Sequence, residues 1–200
     1  MTRKGAVVMA TLIGSAMSGT LDEFKAFYAP GTANTAGGAT GSLLSEALGD
    51  NDPARRAEKA LFLLDDGADA GWRDDRLGYN LLHILLGHFR GNTPRTDGDL
   101  AVLRRLLDAG ADVNAIDKKR GTPLHQLIST SIGYSEDSLD PVYDLLFGRS
   151  NLDLFGVSAR EHSVYGLAHN MRDRLPNLWR YVERYVQDHG LVVPESEREA

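Results

Sequence analysis

Residues 106–125 read LLDAGADVNAIDKKRGTPLH, and this stretch decides the fold. Two leucines followed shortly by Gly110 are typical of a helix that ends on a residue in the left-handed region. Asp112 suits a tight turn, because its short side chain can bond to nearby backbone groups. Thr122 can cap a second helix, and Pro123 fits the first turn of that helix because no N–H is needed there. The stretch predicts a helix, a turn and a second helix whose first leucine enters the core.

The same pattern resembles the ankyrin repeat, most closely over residues 103–127. Further copies of it occur along the chain. The Gly-Ala-Asp element recurs at Gly67, 43 positions before its equivalent, and the helix opening recurs at Asn80, 42 positions before TPLH. Weaker helix openings begin at Ser42 and Ser163. One repeat cannot bury its own apolar face, so several copies are needed for a stable stack.

The resemblance implies an all-α fold: an ankyrin-repeat solenoid of stacked helix-turn-helix pairs with short β-turn or hairpin fingers. We expect one domain over residues 1–192, followed by a charged tail at 193–200, with helix pairs at about 5–29, 42–66, 80–109, 122–148 and 163–189. The spacing exceeds the roughly 33 residues of the family. The excess falls in polar segments at 88–98 and 131–139, which we predict to be surface loops.

The outer helices carry their own start signals and apolar faces. We predict that they are capped by Asp52, Asp99 and Asp140, the first and last of which precede a proline. In the last helix, helical spacing directs four apolar side chains inward, namely those of Leu178, Trp179, Val182 and Val186.

Composition limits the classes of function. The chain has 200 residues, of which 42% are hydrophobic, so it can bury a core without a metal or a disulfide. It has no cysteine, which excludes thiol nucleophiles and cysteine–zinc sites. A net charge of −6 argues against nucleic acid and suits a basic protein partner, such as a toxin or an effector. The 17 arginines against 5 lysines are typical of GC-rich bacterial genomes.

The N-terminus allows two interpretations. Basic residues at 3–4 before the apolar run at 6–16 are compatible with a cleaved signal peptide. Thr11, Gly14 and Ser15 interrupt that run, which favours an amphipathic capping helix and a cytoplasmic protein. We expect no membrane association, because no run approaches the roughly 20 apolar residues that span a bilayer.

Several residues raise the question of catalysis. His83 and His125 occupy the same place in two repeats, where the resemblance implies structural hydrogen bonds between neighbours; Gly166 stands in that place in a third. His162 and His169 could share one helix face and hold a metal, but no HExxH motif or cysteine pair supports a metal site. We therefore expect no enzymatic activity, no cofactor and no metal.

The resemblance also implies a binding surface, because ankyrin proteins use the finger tips and the exposed side of the inner helices. The equivalent positions around the second, third and fourth helix openings mix aromatic, basic and apolar residues, which binding hot spots favour. They are Trp72, Asp74, Arg76, Leu77, Tyr79, His88, Ile116, Lys118, Lys119, Ser129, Thr130, Val157, Arg160, His162, Asn170 and Met171.

Three hypotheses for the function follow. The first is a non-catalytic scaffold, monomeric on its own, that binds a dedicated protein partner through this surface. The second is a bacterial immunity or antitoxin-type inhibitor that occludes a toxin. The third is an enzyme or a metal-binding protein that uses His162 and His169.

Overall fold

The computed structural model describes residues 3–35, 41–89, 96–131, 136, 138–157 and 162–197. Within these residues the chain is all-helical, with ten α-helices and no strand beyond two isolated antiparallel bridges. None of the ten helices is both long enough and apolar enough to cross a bilayer. The expected all-α class is confirmed.

The helices form two rows. An inner row contains the odd-numbered helices and an outer row the even-numbered ones; each helix packs against the next helix of its own row. In chain order they are α1 (Arg3–Ser18), α2 (Leu21–Lys25), α3 (Leu43–Leu48), α4 (Pro53–Asp65), α5 (Leu81–Gly87), α6 (Asp97–Asp108), α7 (Pro123–Ser131), α8 (Asp140–Phe147), α9 (Val164–Asn170) and α10 (Pro176–Asp188).

Local signals set most helix ends. Polar side chains cap the starts of seven helices by accepting a backbone N–H from the first turn. These capping residues are Thr20, Ser42, Asp52, Asn80, Thr96, Thr122 and Ser163. Just after α4 and α6, Gly67 and Gly110 take positive φ angles of 84° and 90°, as a helix-ending glycine does.

Two of the predicted caps are wrong. Thr96, not Asp99, caps α6, so that the helix begins three residues earlier than expected and Asp99 lies in its first turn. Asp140 is the first residue of α8, and the preceding Leu139 makes no side-chain cap. The Asp99 carboxylate accepts the backbone amide of Thr96 and also pairs with a buried arginine, Arg56.

The core lies between and within the two rows. Leu124 is buried, as the TPLH pattern predicts, together with the leucines of α3 and α5 and three of the four leucines of α6. In α10, Leu178 and Val182 are fully buried and Trp179 and Val186 are half-buried, so the predicted inward face is confirmed. Tyr185 extends that face and was missed; its hydroxyl group bonds to the backbone near residue 150.

Asparagine side chains link consecutive layers of the stack. Asn114 Nδ2 donates to the carbonyl of Asn151 at 2.6 Å, and its Oδ1 accepts from the Asp153 amide at 2.9 Å. Asn34 makes the equivalent pair of bonds to the Gly67 carbonyl and the Asp69 amide, at 2.9 and 2.7 Å. The same bridge between layers therefore occurs twice.

Charged side chains also lie inside the fold, which hydrophobic patterning did not predict. Lys59 is fully buried, and its ammonium group donates to the carbonyls of Ser15 and Gly19 and to Asp50, at 3.2, 2.8 and 2.8 Å. These bonds attach the C-terminal end of α1 to α4. Burial alone would raise the pKa of Asp50, but hydrogen bonds from Arg55 and Lys59 outweigh it and lower the pKa to about 2.

Residues distant in sequence complete the C-terminal layer. Glu136, from one predicted surface loop, accepts the backbone amides of Asn177 and Leu178 and so caps α10 from outside the helix. The tail forms a short 3-10 turn at Glu195–Glu197. There the Glu197 carboxylate lies against Gly166, where a β-carbon would collide with it.

Candidate functional site

An open groove of about 690 Å³ lies where the inner row meets two turns, the first finger (residues 67–79) and the second finger (residues 110–121). Four of the predicted contact residues line it: Leu77, Tyr79, His88 and Lys119. Gly87, which lies at a predicted offset seven positions after Asn80, also lines it. Five lining residues were not among the predicted ones, namely Asn51, His83, Ile84, Asp117 and Arg120.

Each finger is shaped by an aspartate that turns back on its own backbone. Asp74 Oδ1 accepts the amides of Arg76 and Leu77, at 3.1 and 2.6 Å. Asp117 Oδ1 accepts the amides of Lys119 and Arg120, at 2.6 and 3.0 Å. Such bonds are typical of aspartate in tight turns. Asp74, predicted as a contact residue, therefore serves to hold the first finger in shape.

The two fingers are joined to each other. The Lys118 amide donates to the Leu77 carbonyl at 2.8 Å, and the Lys118 ammonium reaches the Arg76 carbonyl at 2.5 Å. From the first finger, Arg73 Nη2 donates to the Ile116 carbonyl at 2.9 Å. Lys118 was predicted only as a contact for a partner, but its side chain bonds the second finger to the first.

Two aromatic residues support the wall of the groove. Trp72 and Tyr79 pack edge to face, with ring centroids 5.8 Å apart, and both are half-buried. Burial, followed by the nearby Asp74 carboxylate, raises the pKa of Tyr79, so its phenol stays protonated near neutral pH. Trp72 therefore supports the groove wall by packing against Tyr79, and it does not itself line the groove.

Ile84 forms the apolar floor of the groove and was missed by the sequence analysis. It lies four positions after the cap residue Asn80, as Gln126 lies four positions after Thr122 and Glu46 four after Ser42. This repeated offset was available in the sequence. The predicted offsets were the positions one to six before each helix opening and the positions seven and eight after it.

The predicted contact residues of the last repeats lie apart from the groove. Ser129, Val157, His162 and Asn170 are exposed, and Met171 is half-buried. None of these five lines the groove. Thr130 bonds through its hydroxyl group to carbonyls of its own helix, and Arg160 lies outside the described residues.

The two equivalently placed histidines each bond to a backbone carbonyl of the neighbouring layer of helices. His83 Nε2 lies 2.8 Å from the Gly121 carbonyl, and His125 Nε2 lies 2.9 Å from the carbonyl of His162. Both rings also accept a backbone amide at Nδ1, from Asn80 and Thr122 respectively. Burial lowers the pKa of both histidines, which keeps the rings neutral.

The alternative metal site does not have the predicted geometry. His162 precedes α9, which begins at Val164, so His162 and His169 do not share one helix face. His169 instead packs against Trp179, with ring centroids 5.2 Å apart. Among the described residues there is no cluster of three or more histidine, aspartate or glutamate side chains that could hold a metal ion.

No family model matches the chain. The structure is similar to the crystal structure of a functionally unknown protein from Leptotrichia buccalis C-1013-b, with a TM-score of 0.72. The similarity covers 93% of this chain and 100% of that one, at 22% sequence identity. This likeness shows a shared fold, and a fold alone does not determine function.

Proposed function

We propose that this chain is a non-catalytic scaffold of the ankyrin-repeat type, which holds a protein partner in the groove between its two fingers and α5. One observation carries the proposal. Leu77, Tyr79, His88 and Lys119 were selected by their offsets in two repeats, and they surround one open groove. Aromatic and basic residues beside an apolar floor are what protein-binding hot spots favour.

The repeated bonds between layers support the ankyrin-type architecture. His83 and His125 reach carbonyls 38 and 37 positions further along the chain, and Asn34 and Asn114 make matching bridges. Helices that pack only on their neighbours, with one type of bond repeated at each layer, are characteristic of a repeat protein.

The shape of the surface favours a protein over a small molecule. The groove is open, and beyond it the equivalent finger-tip residues Ile116 and Val157 are exposed, at 44% and 55%. Apolar side chains exposed beside a groove are typical of an interaction surface. A partner that fills the groove and covers Ile116 must extend beyond a single pocket.

Site-specific photo-crosslinking tests this proposal. A photoreactive amino acid is placed at Lys119, on the rim of the groove, and in a matched variant at Arg104, which is exposed on α6 in the outer row. Each variant is irradiated in lysate from the source organism. We expect one discrete protein adduct from position 119 and none from position 104.

A competition experiment provides the control. Unlabelled wild-type protein should suppress the adduct. A Leu77→Asp variant should stay folded, because the backbone hydrogen bonds of residue 77 remain. It should not suppress the adduct, because it lacks the leucine side chain on the groove wall. An absent adduct at position 119, or equal adducts at both positions, would show that the groove is not the binding site.

A further inference from the structure

The acidic and basic side chains around the groove differ in whether backbone groups already bond to them. The carboxylates of Asp74 and Asp117 accept hydrogen bonds from backbone amides of their own fingers. Lys119 and Arg120 are exposed on the second finger, and both line the groove. The exposed Asp75 at the tip of the first finger does not line it. Two cations, Lys119 and Arg120, and one carboxylate, Asp117, therefore line the groove, so it carries a net positive charge although the whole chain carries −6.

The side chain of Gln126 lies beside the groove. It is only 6% exposed, and among the described residues no donor bonds to its Oε1. The amide end of this side chain lies close to Gly87, where a β-carbon would be 3.9 Å from Nε2, and Gly87 lines the groove. Buried polar groups are rarely left unsatisfied, so this position calls for a hydrogen-bond donor from a ligand.

We propose that the groove binds an acidic segment of a protein partner; this inference rests on the proposed function and specifies its chemistry. Carboxylates of the segment bond to Lys119 and Arg120, and an apolar side chain packs on Leu77, Tyr79 and Ile84. A backbone N–H of the segment satisfies Gln126. Carboxylates on exposed lysine and arginine form charge-assisted hydrogen bonds, whereas an inorganic anion offers no N–H donor and no apolar group.

The net charge of the chain favours a basic partner, but local charge decides contact in the groove. At an ionic strength of 0.1 M, charges separated by more than about 10 Å are largely screened. Within the groove, the two cations outnumber the one carboxylate, that of Asp117. The expectation of a basic partner from composition and the expectation of an acidic segment from the groove can therefore be separated by experiment.

The test measures fluorescence anisotropy of three labelled peptide pools with the full-length protein. Each pool has a central leucine or phenylalanine, flanked by aspartate and glutamate, by lysine and arginine, or by serine and glycine. We expect the acidic pool to bind most tightly. Lys119→Gln with Arg120→Gln should weaken its binding at least about tenfold, as the loss of one charge-assisted bond implies. The matched control is Arg104→Gln with Arg184→Gln, both on the outer row, and should leave binding unchanged.

The outcomes separate this inference from the proposed function. Tighter binding of the basic or the neutral peptide pool overturns this inference. Equally tight binding of the acidic pool by the Lys119→Gln with Arg120→Gln variant also overturns it. Binding of inorganic pyrophosphate in the groove, without binding of acidic peptides, would assign the site to a small anion. If crosslinking at position 119 captures a protein through a basic segment, the scaffold proposal stands and this inference fails. If crosslinking captures nothing, the scaffold proposal itself fails.

Discussion

Arg56 Nε and Nη2 each lie 3.0 Å from a carboxylate oxygen of Asp99, which is 43 positions further along the chain, and both side chains are fully buried. The remaining guanidinium nitrogen donates to the Asp50 carbonyl at 2.7 Å. This pair joins α4 to α6 in the outer row. Two charges held together in the interior depend on each other, because either one alone would be left unpaired in a low-dielectric environment.

Removing one member of this pair should destabilise the fold strongly. We expect Arg56→Met to lower the free energy of unfolding by about 3–5 kcal/mol, because it leaves the Asp99 carboxylate buried without its cation. Urea unfolding followed by circular dichroism measures the change. The control is Arg105→Met, which removes an exposed pair with Asp65 and should cost no more than about 1 kcal/mol. Equal losses in the two variants would mean that the Arg56–Asp99 pair is not buried.

Leu124 tests the register of the repeat. Its side chain is 1% exposed, so Leu124→Ala should cost about 2–5 kcal/mol through lost burial and the cavity left behind. The matched change Ile116→Ala, at an exposed finger tip, should stay within about 0.5 kcal/mol. Thermal and urea unfolding of both variants measure the difference. If Leu124→Ala left the free energy of unfolding unchanged, Leu124 would lie outside the core.

Substitution of two glycines can distinguish the cost of backbone strain from the cost of a steric clash with a neighbouring residue. Gly78 and Gly110 both have positive φ angles, 81° and 90°, but a β-carbon at Gly78 would lie 2.5 Å from the Ile116 carbonyl, whereas Gly110 has open space. Gly110→Ala should therefore cost only about 1–2 kcal/mol, for the left-handed conformation. Gly78→Ala should cost more in urea unfolding, because the second finger must move away. Similar costs would show that the two fingers can separate freely.

The buried histidines predict a loss of stability in mild acid. Burial lowers the pKa of His83 and His125 below the ordinary value of 6.5, so the unfolded chain binds more protons than the folded chain as the pH falls below about 6.5. The two histidines should therefore not reduce the free energy of unfolding above that pH, and the free energy of unfolding should decline below it. Asp50, with a pKa of about 2 against 3.8 unfolded, contributes only at lower pH.

Urea midpoints at pH 7 and pH 5 measure this dependence. The double variant His83→Gln with His125→Gln should lose less stability between the two pH values than the wild type, whatever its stability at pH 7. A double variant that is as sensitive to acid as the wild type would assign the effect to other groups.

Glu136 should matter for the last layer of the stack. Because its carboxylate accepts two backbone amides at the start of α10, Glu136→Ala should cost about 0.5–2 kcal/mol, as loss of a helix cap does. Glu183→Ala, exposed on the same helix, is the control and should have little effect. Hydrogen exchange should show the loss first in α10, and uniform loss along the chain would contradict a local cap.

The sequence by itself determined the features that depend on neighbouring residues. The glycines that end α4 and α6, the caps at Asn80 and Thr122, and the polar turns of the fingers follow from backbone chemistry within about four positions. The apolar face of α10 could be predicted for the same reason, since helical spacing alone places its residues. The all-α class and the finger positions that line the groove were expected from the ankyrin resemblance that these local signals carry.

The tertiary structure decided which polar groups are buried and which are available to a partner. Asp99 carries a cap signal, yet it pairs with Arg56 because another helix brings that cation to it. Lys118 and Lys119 are adjacent and chemically alike, but the first bonds to the neighbouring finger and the second lines the groove. Such outcomes depend on residues about 40 positions away. No local pattern encodes them, because the desolvation and pairing of a charge are set by the layers that pack around it.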